Sequence, residues 1–141
     1  MQPVFVYGVA PSGNSQKAIL GCQLMGVAYE LRVVPNLVGK EAEVEGSAKS
    51  PAYLRLNPRG TVPVLIDPNS PPEPASKYGL EGELHSEEGL VLNESAAILT
   101  YLALKYAPAW YDVSDPTKLG RINNWLGFAA NDIHFSLLKV P

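Results

Sequence analysis

Short apolar runs alternate with a stretch of helical periodicity in the first quarter of the chain. The run Val4 to Tyr7 predicts a buried strand, and Tyr29 to Val34 predicts a second one. Between them, apolar residues recur at helical spacing from Asn14 to Met25, and Gly26 follows as a stop signal. The expected buried face of this helix comprises Ala18, Ile19, Cys22, Leu24 and Met25. Strand, helix and strand in this order are typical of a parallel pair joined by a right-handed crossover, which predicts an α/β class.

Prolines mark the next elements. Ser50-Pro51 supplies an N-cap and a first-turn proline for a short helix, which Asn57-Pro58-Arg59-Gly60 ends. Val62 to Ile66 has strong β character, and its Pro63 belongs at the strand start because proline cannot donate to a ladder. The Val62-Pro63 bond there can be cis. Between Asp67 and Gly89, prolines, glycines and acidic residues predict a long exposed loop.

The last part of the pattern contains one further strand and two helices. Leu90 to Leu92 resumes β character, and Asn93 is predicted to cap a helix that Pro108 ends. Its apolar face is expected to hold Ala97, Ile98, Tyr101 and Leu102. Ser114-Asp115-Pro116 then begins a long amphipathic helix, predicted from Thr117 to Val140. Its stripe of Leu119, Ile122, Leu126, Ala129 and Ile133 requires a partner surface, either the sheet domain, a second copy or helices that follow.

Composition narrows the function classes. The 141 residues are 46% hydrophobic and 18% charged, which suits a globular domain, or one domain and the beginning of another. A net charge of −3 with no basic run argues against nucleic acid as a partner. One cysteine and two histidines exclude a disulfide framework and offer no zinc-ligand spacing, so no metal cofactor is expected. No basic leader or long apolar run occurs, so we expect a soluble, cytoplasmic protein without a membrane partner.

Two motifs carry a resemblance to a known family. The segment Asn57-Pro58-Arg59-Gly60-Thr61-Val62-Pro63-Val64-Leu65 resembles N-P-x-G-x-V-P-x-L, and Glu94-Ser95-Ala96-Ala97-Ile98 resembles E-S-x-A-I. Both are motifs of the thioredoxin-like N-terminal domain of cytosolic glutathione transferases, whose order of elements, βαβαββα, the pattern also matches. The resemblance implies a glutathione-binding domain over residues 1–107, then a linker and the first helix of a truncated all-helical domain over 108–141. We therefore expect this chain to be a fragment of a longer protein.

The same motifs suggest a peptide-binding site. A cis Val62-Pro63 bond would turn the backbone of Val62 outward at a strand edge, where an extended peptide such as glutathione can add. Ser95 lies in the first turn of a helix, where a carboxylate is favoured. By resemblance, Ser95 would bind the γ-glutamyl carboxylate and Glu94 the ammonium group, with Lys49 and Thr61 near the glycyl end. The alternative is that Pro63 merely starts a strand and Ser95 merely caps a helix.

The loop after the first strand is the candidate catalytic segment. The thiol of glutathione has a free pKa above neutrality, and a hydroxyl donor at a helix N-terminus can stabilise its thiolate. Ser12 lies where serine-type members carry their activating hydroxyl, and Asn14 or Ser15 could donate instead. Tyr7 would matter in a tyrosine-type enzyme, and Lys17 either stabilises an anion or is a solvated helix charge. Alternatively, the loop residues only cap the helix. Dithiol chemistry is not expected, because no cysteine occurs at this turn and Cys22 is predicted to be an inert core residue.

Two functions follow from the resemblance. The first is an enzyme of detoxification, a homodimer that conjugates glutathione to a hydrophobic electrophile. The second is a non-catalytic interaction domain. Lys17-Ala18-Ile19-Leu20 and the segment Trp125 to Val140 resemble the transferase-like domain in the gamma subunit of the translation elongation factor complex.

Overall fold

The computed structural model describes residues 1–35, 46–71 and 89–133. Most of the predicted loop between Asp67 and Gly89 lies outside these ranges, as do residues 134–140 of the predicted final helix. Within the described part, no helix is both long enough and apolar enough to cross a lipid bilayer.

Four strands form one mixed sheet in the order β2-β1-β3-β4. The strands are β1 (Val4–Gly8), β2 (Tyr29–Val33), β3 (Val64–Asp67) and β4 (Leu90–Leu92). β1 pairs with β2 in parallel, and β3 runs antiparallel to both β1 and β4. The predicted crossover and the predicted succession of strands are therefore confirmed. Because β3 is reversed, its first residues lie at the same end of the sheet as the last residues of β1 and β4.

The described helices are α1 (Gly13–Leu24), α2 (Pro51–Leu56), α3 (Ser95–Tyr106) and α4 (Pro116–Phe128). A single 3-10 turn at Pro108–Trp110 separates α3 from α4, and a π-helical turn at Ala129–Ile133 follows α4. The side chains of Ser12, Ser50 and Asp115 accept backbone N–H groups at the starts of α1, α2 and α4, respectively.

Apolar side chains pack on both faces of the sheet. On one face, α1 and α3 contribute Ala18, Ile19, Cys22, Ile98 and Leu102 against Val4, Val6 and Leu65. On the other face, Val34, Ala48, Tyr53, Val64, Ile66 and Val91 form a second cluster. Cys22 is fully buried, and burial raises the pKa of its thiol to about 11, which agrees with the predicted inert role.

Some local predictions were wrong. Glu94, not Asn93, is the N-cap of α3, and the Asn93 side chain instead donates a hydrogen bond from its Nδ2 to Asn57 Oδ1 (3.3 Å). Leu24 is 66% exposed, since it lies two residues past Cys22 and so about 200° around the helix. Ala97 is likewise exposed, one residue away from the buried Ile98. Within the described part of the predicted final helix, the α-helical geometry ends at Phe128 and a π-helical turn follows.

Candidate functional site

Ser12 forms the turn that leads from β1 into α1. Its backbone N–H donates to Val9 O (3.1 Å), and its Oγ accepts the backbone N–H of Ser15 (3.3 Å). The hydroxyl is thus an acceptor in the cap and keeps its own proton available for another partner. Ser12 is half-buried, at the positive end of α1.

Ser15, the third candidate donor in this loop, faces the interior. It is fully buried, and its Oγ accepts the backbone N–H of Val9 (3.2 Å). Gly8 packs directly against it, because a Cβ on Gly8 would lie 2.9 Å from both Cβ and Oγ of Ser15. This hydroxyl holds the turn closed and is not presented to solvent.

Asn14 connects the starts of α1 and α3. Its Oδ1 accepts hydrogen bonds from Lys17 Nζ (2.9 Å) and from Ser95 Oγ (3.4 Å). Residues 14 and 95 are far apart along the chain, and the fold brings these two predicted site residues into direct contact. Ser95 is the first residue of α3, so its backbone N–H has no acceptor within the helix.

The contacts of Lys17 bear on one of the two alternatives that the sequence left open, a solvated helix charge. Its Nζ donates to Asn14 Oδ1 and also to the backbone oxygen of Ala129 (3.0 Å), the first residue of the π-helical turn. Burial lowers the pKa of this ammonium group. Lys17 therefore joins α1 to the end of α4 and is not a solvated helix charge.

The residues just before β3 accept hydrogen bonds from polar side chains of α2 and its C-cap. The Val62-Pro63 bond is cis, as the sequence allowed. Immediately before it, Thr61 O accepts hydrogen bonds from Tyr53 Oη (2.7 Å) and from Asn57 Nδ2 (2.8 Å). Asn57 is fully buried and its Nδ2 also reaches Thr61 Oγ1 (3.0 Å). Thr61 is thus fixed by two residues of the neighbouring segment.

Lys49 lies over the loop that precedes β3. Its Nζ donates to the backbone oxygens of Arg59 and Gly60, both at 3.1 Å. Gly60 has a φ of 59°, and a Cβ there would lie 2.6 Å from both Ala48 O and Lys49 Nζ. The glycine therefore permits the close approach of the ammonium group to the loop.

Glu94 is ion-paired with Arg59, which the sequence analysis had not assigned a role. Both side chains are 59% exposed, at the outer rim of the loop. Their separation of 35 residues gave no signal of pairing in the sequence. This ion pair and the Asn93 to Asn57 hydrogen bond join the loop before β3 to the start of α3.

The predicted site residues lie at one end of the sheet. The end of β1, the start of β3 and the end of β4 meet there, since Tyr7 is paired with Val64 and Leu65 with Leu92. Tyr7 Oη accepts a hydrogen bond from Arg32 Nη1 (2.7 Å), so its own proton also stays available, and this contact does not distinguish Tyr7 from Ser12 as a donor. Among the described residues, no group of three or more His, Cys, Asp or Glu could hold a metal ion.

A second polar cluster at the opposite end of β3 was missed by sequence reasoning. Asp67 is fully buried, and its Oδ2 accepts hydrogen bonds from Tyr101 (2.5 Å), Tyr106 (2.6 Å) and Lys105 (2.8 Å). Its Oδ1 accepts the backbone N–H of Asn69 (2.7 Å). The cluster connects β3 to α3 away from the candidate site, and the sequence placed Asp67 only at the start of a loop.

The sequence profile of a known family covers most of this fold and site. The profile described as "Glutathione S-transferase, N-terminal domain" matches residues 11–105. The chain belongs to the glutathione S-transferase family. Its four-stranded domain is therefore the thioredoxin-like N-terminal domain of this family, and α4 corresponds to the beginning of the helical part.

Individual relatives agree with this assignment. The chain is 26% identical over 126 residues to the glutathione S-transferase GstB of Escherichia coli, covering 89% of this chain and 49% of that protein. A solved theta class glutathione S-transferase from Xanthomonas axonopodis pv. citri, with glutathione bound, superimposes with a TM-score of 0.66 and 30% identity over 93% of this chain and 50% of that one. The probable elongation factor 1-gamma 1 of Arabidopsis thaliana is 26% identical over 126 residues, which are 89% of this chain and 24% of that protein. The chain spans about half the length of the transferases that it matches.

Proposed function

We propose that this chain supplies the glutathione-binding part of a transferase that conjugates the glutathione thiolate to a hydrophobic electrophile. The observation that carries the proposal is the contact of Ser95 Oγ with Asn14 Oδ1. It joins the start of α3, a candidate carboxylate site, to the loop that holds the candidate thiolate donors. A peptide bound along the start of β3 could then contact both of these elements.

Glutathione would bind as an added strand. Val62 offers its backbone at the start of β3, beside the cis Val62-Pro63 bond, and the hydrogen bonds to Thr61 support the backbone just before it. The γ-glutamyl carboxylate would bind Ser95, because the first N–H groups of α3 are unpaired within the helix and the helix dipole favours an anion.

The charged groups of the site suit the two ends of the peptide. Glu94 would accept the ammonium group while it stays near Arg59, which holds the carboxylate at the rim. The ammonium group of Lys49 lies against the loop before β3, where it would attract the glycyl carboxylate near Thr61.

Ser12 is the proposed hydroxyl donor to the sulfur. Its Oγ accepts the N–H of Ser15, so the hydroxyl proton remains free to point at a thiolate at the positive end of α1. Asn14 offers a second donor in its Nδ2 group, while the buried Ser15 supports the turn. The thiol releases its proton to water, and the stabilised thiolate then forms a sulfur-carbon bond with the electrophile. The electrophilic carbon at the same time loses its bond to a leaving group, or one bond of a double bond opens and the product takes up a proton from water.

The remaining features belong to the whole protein. The electrophile site, assembly as a homodimer, a role in detoxification and a cytoplasmic location are proposed from family membership, because the chain spans only about half of the matched transferases.

Thermal unfolding with and without glutathione tests the proposal. A ligand that binds only the folded state adds about 2.7 kcal/mol of stability at 100 times its dissociation constant. We expect millimolar glutathione to raise the unfolding midpoint of the chain, and Ser95→Ala to abolish most of the rise. Ser114→Ala, an exposed serine outside the site, is the matched control and should keep it. An unchanged midpoint of the unsubstituted chain at all glutathione concentrations would refute the proposed site.

The similarity to elongation factor 1-gamma supports a second candidate function, a non-catalytic interaction domain. The two candidates differ in what the full-length protein does. Stable assembly with other elongation factor subunits, together with absent conjugating activity, would favour the interaction domain. A separate dimer with conjugating activity would favour the transferase.

A further inference from the structure

We propose that Lys17 is a positioning residue, which fixes the side-chain amide of Asn14 so that its Nδ2 group is presented to the sulfur of glutathione. The inference rests on the proposed function and deepens it. It concerns how the candidate donors are held, and it adds a residue that the proposal above does not need for binding.

The chemistry of the contact determines the orientation of the amide. An asparagine side chain can be turned by 180° with little change in shape, so its oxygen and nitrogen must be assigned from their partners. A lysine ammonium group has three donors and no acceptor. Since Lys17 Nζ lies 2.9 Å from the amide, the atom that faces it has to be Oδ1. The hydroxyl of Ser95, at 3.4 Å from the same oxygen, can donate to it as well.

This orientation leaves Nδ2 as the free end of the amide. Lys17 Nζ and Ser95 Oγ both contact the oxygen end of the amide, so Nδ2 is the end that neither of them occupies. Among the described residues, no buried side-chain nitrogen or oxygen lacks a hydrogen-bond partner, so Nδ2 is not a buried, unsatisfied donor. An amide N–H₂ group can donate to a thiolate, whereas the reversed amide would present an oxygen and repel it. Loss of the ammonium group would remove the main reason for the amide to hold one orientation.

Lys17 is itself anchored at its far side. Its Nζ also donates to Ala129 O at 3.0 Å, and that oxygen belongs to the first residue of the π-helical turn after α4. Carbonyl groups near a helix end attract cations, and π-helical turns interrupt the regular hydrogen-bond ladder. The ammonium group is therefore held between a helix-end oxygen and the amide, which restricts the positions that Asn14 can adopt.

The test separates binding from thiolate stabilisation. S-methylglutathione has no thiol, so its affinity reports binding alone, and the ultraviolet absorbance of bound glutathione against pH reports the ionisation of the thiol. We expect Lys17→Met to raise the pH midpoint of the bound thiol by roughly one unit, a tenfold loss of thiolate preference. Its affinity for S-methylglutathione should stay within about threefold of the unsubstituted chain. Lys17→Arg keeps a charged donor and should hold the pH midpoint of the bound thiol close to that of the unsubstituted chain. Lys118→Met, on the exposed helix α4, is the matched control and should leave the midpoint unchanged.

A double-mutant cycle shows whether Lys17 acts through Asn14. In an Asn14→Ala background, Lys17→Met should shift the midpoint no further. An equal shift in both backgrounds would overturn the inference, because Lys17 would then act on the sulfur by its charge alone. An unshifted midpoint in Lys17→Met with binding retained would also overturn it, and would leave the proposed function intact.

Two further outcomes are distinguishable. If Lys17→Met fails to fold, Lys17→Ala provides the same removal of the ammonium group with a better helix former and carries the same expectation. If the unsubstituted chain does not bind S-methylglutathione, the proposed function fails and the inference fails with it.

Discussion

A buried carboxylate holds the far end of the sheet, away from the candidate site. Asp67 is the last residue of β3, and one of its oxygens accepts hydrogen bonds from three side chains of α3. Burial alone would raise the pKa of the Asp67 carboxyl, but the hydrogen bonds, above all that from Lys105, outweigh it and hold that pKa well below its usual range. The same contact raises the pKa of Lys105, and burial together with Asp67 raises the pKa of Tyr106 to about 12.

Asp67→Asn should therefore destabilise the fold. The amide keeps the shape but turns one acceptor oxygen into a donor group beside three donors, which we expect to cost about 3 kcal/mol of unfolding free energy. Urea denaturation measures the loss. Glu30→Gln is the matched control, because Glu30 is exposed and its ion pair with Arg32 is expected to contribute less than about 1 kcal/mol. Equal losses in the two variants would contradict the role of Asp67.

The same substitution should change the acid dependence of stability. A carboxyl whose pKa is lower in the folded than in the unfolded state stabilises above the unfolded pKa and loses that contribution as the pH falls. For Asp67 the loss begins below about pH 4, the usual value for an unfolded aspartate. Stability of the unsubstituted chain should decrease more steeply below this pH than that of Asp67→Asn. Parallel curves would show that the carboxyl does not titrate differently in the two states.

At the residue scale, sequence reasoning selected segments that the fold brings together at one end of the sheet, but it did not predict the orientation of their side chains. Ser12 and Ser15 look equivalent in the sequence, and the close approach of Gly8 is what places Ser15 in the interior. The Arg59 to Glu94 ion pair and the Asp67 cluster join residues that are far apart along the chain. Such pairings depend on the tertiary fold, and the local sequence pattern does not predict them.

At the scale of elements, the packing of α1 on α3 depends on a glycine. A Cβ on Gly21 would overlap Leu99 Cδ2 and lie 4.0 Å from Leu102 Cδ1. Gly21→Val should therefore force the two helices apart and cost about 2 kcal/mol, as overpacking of a core does. Gly120→Val in α4 is the matched control, because nothing lies within 4 Å of a Cβ there and helix propensity favours valine slightly over glycine.

Thermal unfolding of the two glycine variants gives the comparison. We expect a clearly lower midpoint for Gly21→Val and an equal or slightly higher one for Gly120→Val. A midpoint for Gly21→Val as high as that of the unsubstituted chain would mean that Leu99 can move aside without loss of packing.

Element boundaries were predictable where the capping chemistry is local. Ser50-Pro51 and Asp115-Pro116 begin helices as predicted, because a side-chain acceptor and a proline in the first turn act within a few residues. The prediction for Asn93 was wrong: α3 begins one residue later without a side-chain cap, and Asn93 makes a tertiary hydrogen bond to the buried Asn57 that the local sequence did not indicate. The π-helical turn after Phe128 interrupts an apolar stripe whose spacing alone indicated a continuous helix.

At the scale of the whole molecule, the local pattern predicted the order of the elements and the parallel pairing of β1 with β2, and the resemblance to a known family implied the rest of the topology. A parallel crossover followed by a reversed β3 leaves few arrangements of a four-stranded sheet, and the family motifs selected the observed one. The helices differ, however, in how many of their side chains are buried. Each of α1 and α3 buries several side chains in the core, whereas among the described residues of α4 none is buried.

This difference predicts unequal local stability, because opening free energies follow the apolar contacts that each unit would lose. Hydrogen exchange of the chain, resolved by peptide mass spectrometry, should show α3 opening near the global unfolding free energy. We expect α4 to open at a free energy lower by about 2 kcal/mol, a factor of roughly 30 in exchange rate. α3 is the matched internal control, since the two helices have 12 and 13 residues. Equal protection of α3 and α4 would mean that α4 is held by contacts as strong as those of the core, and would contradict the prediction.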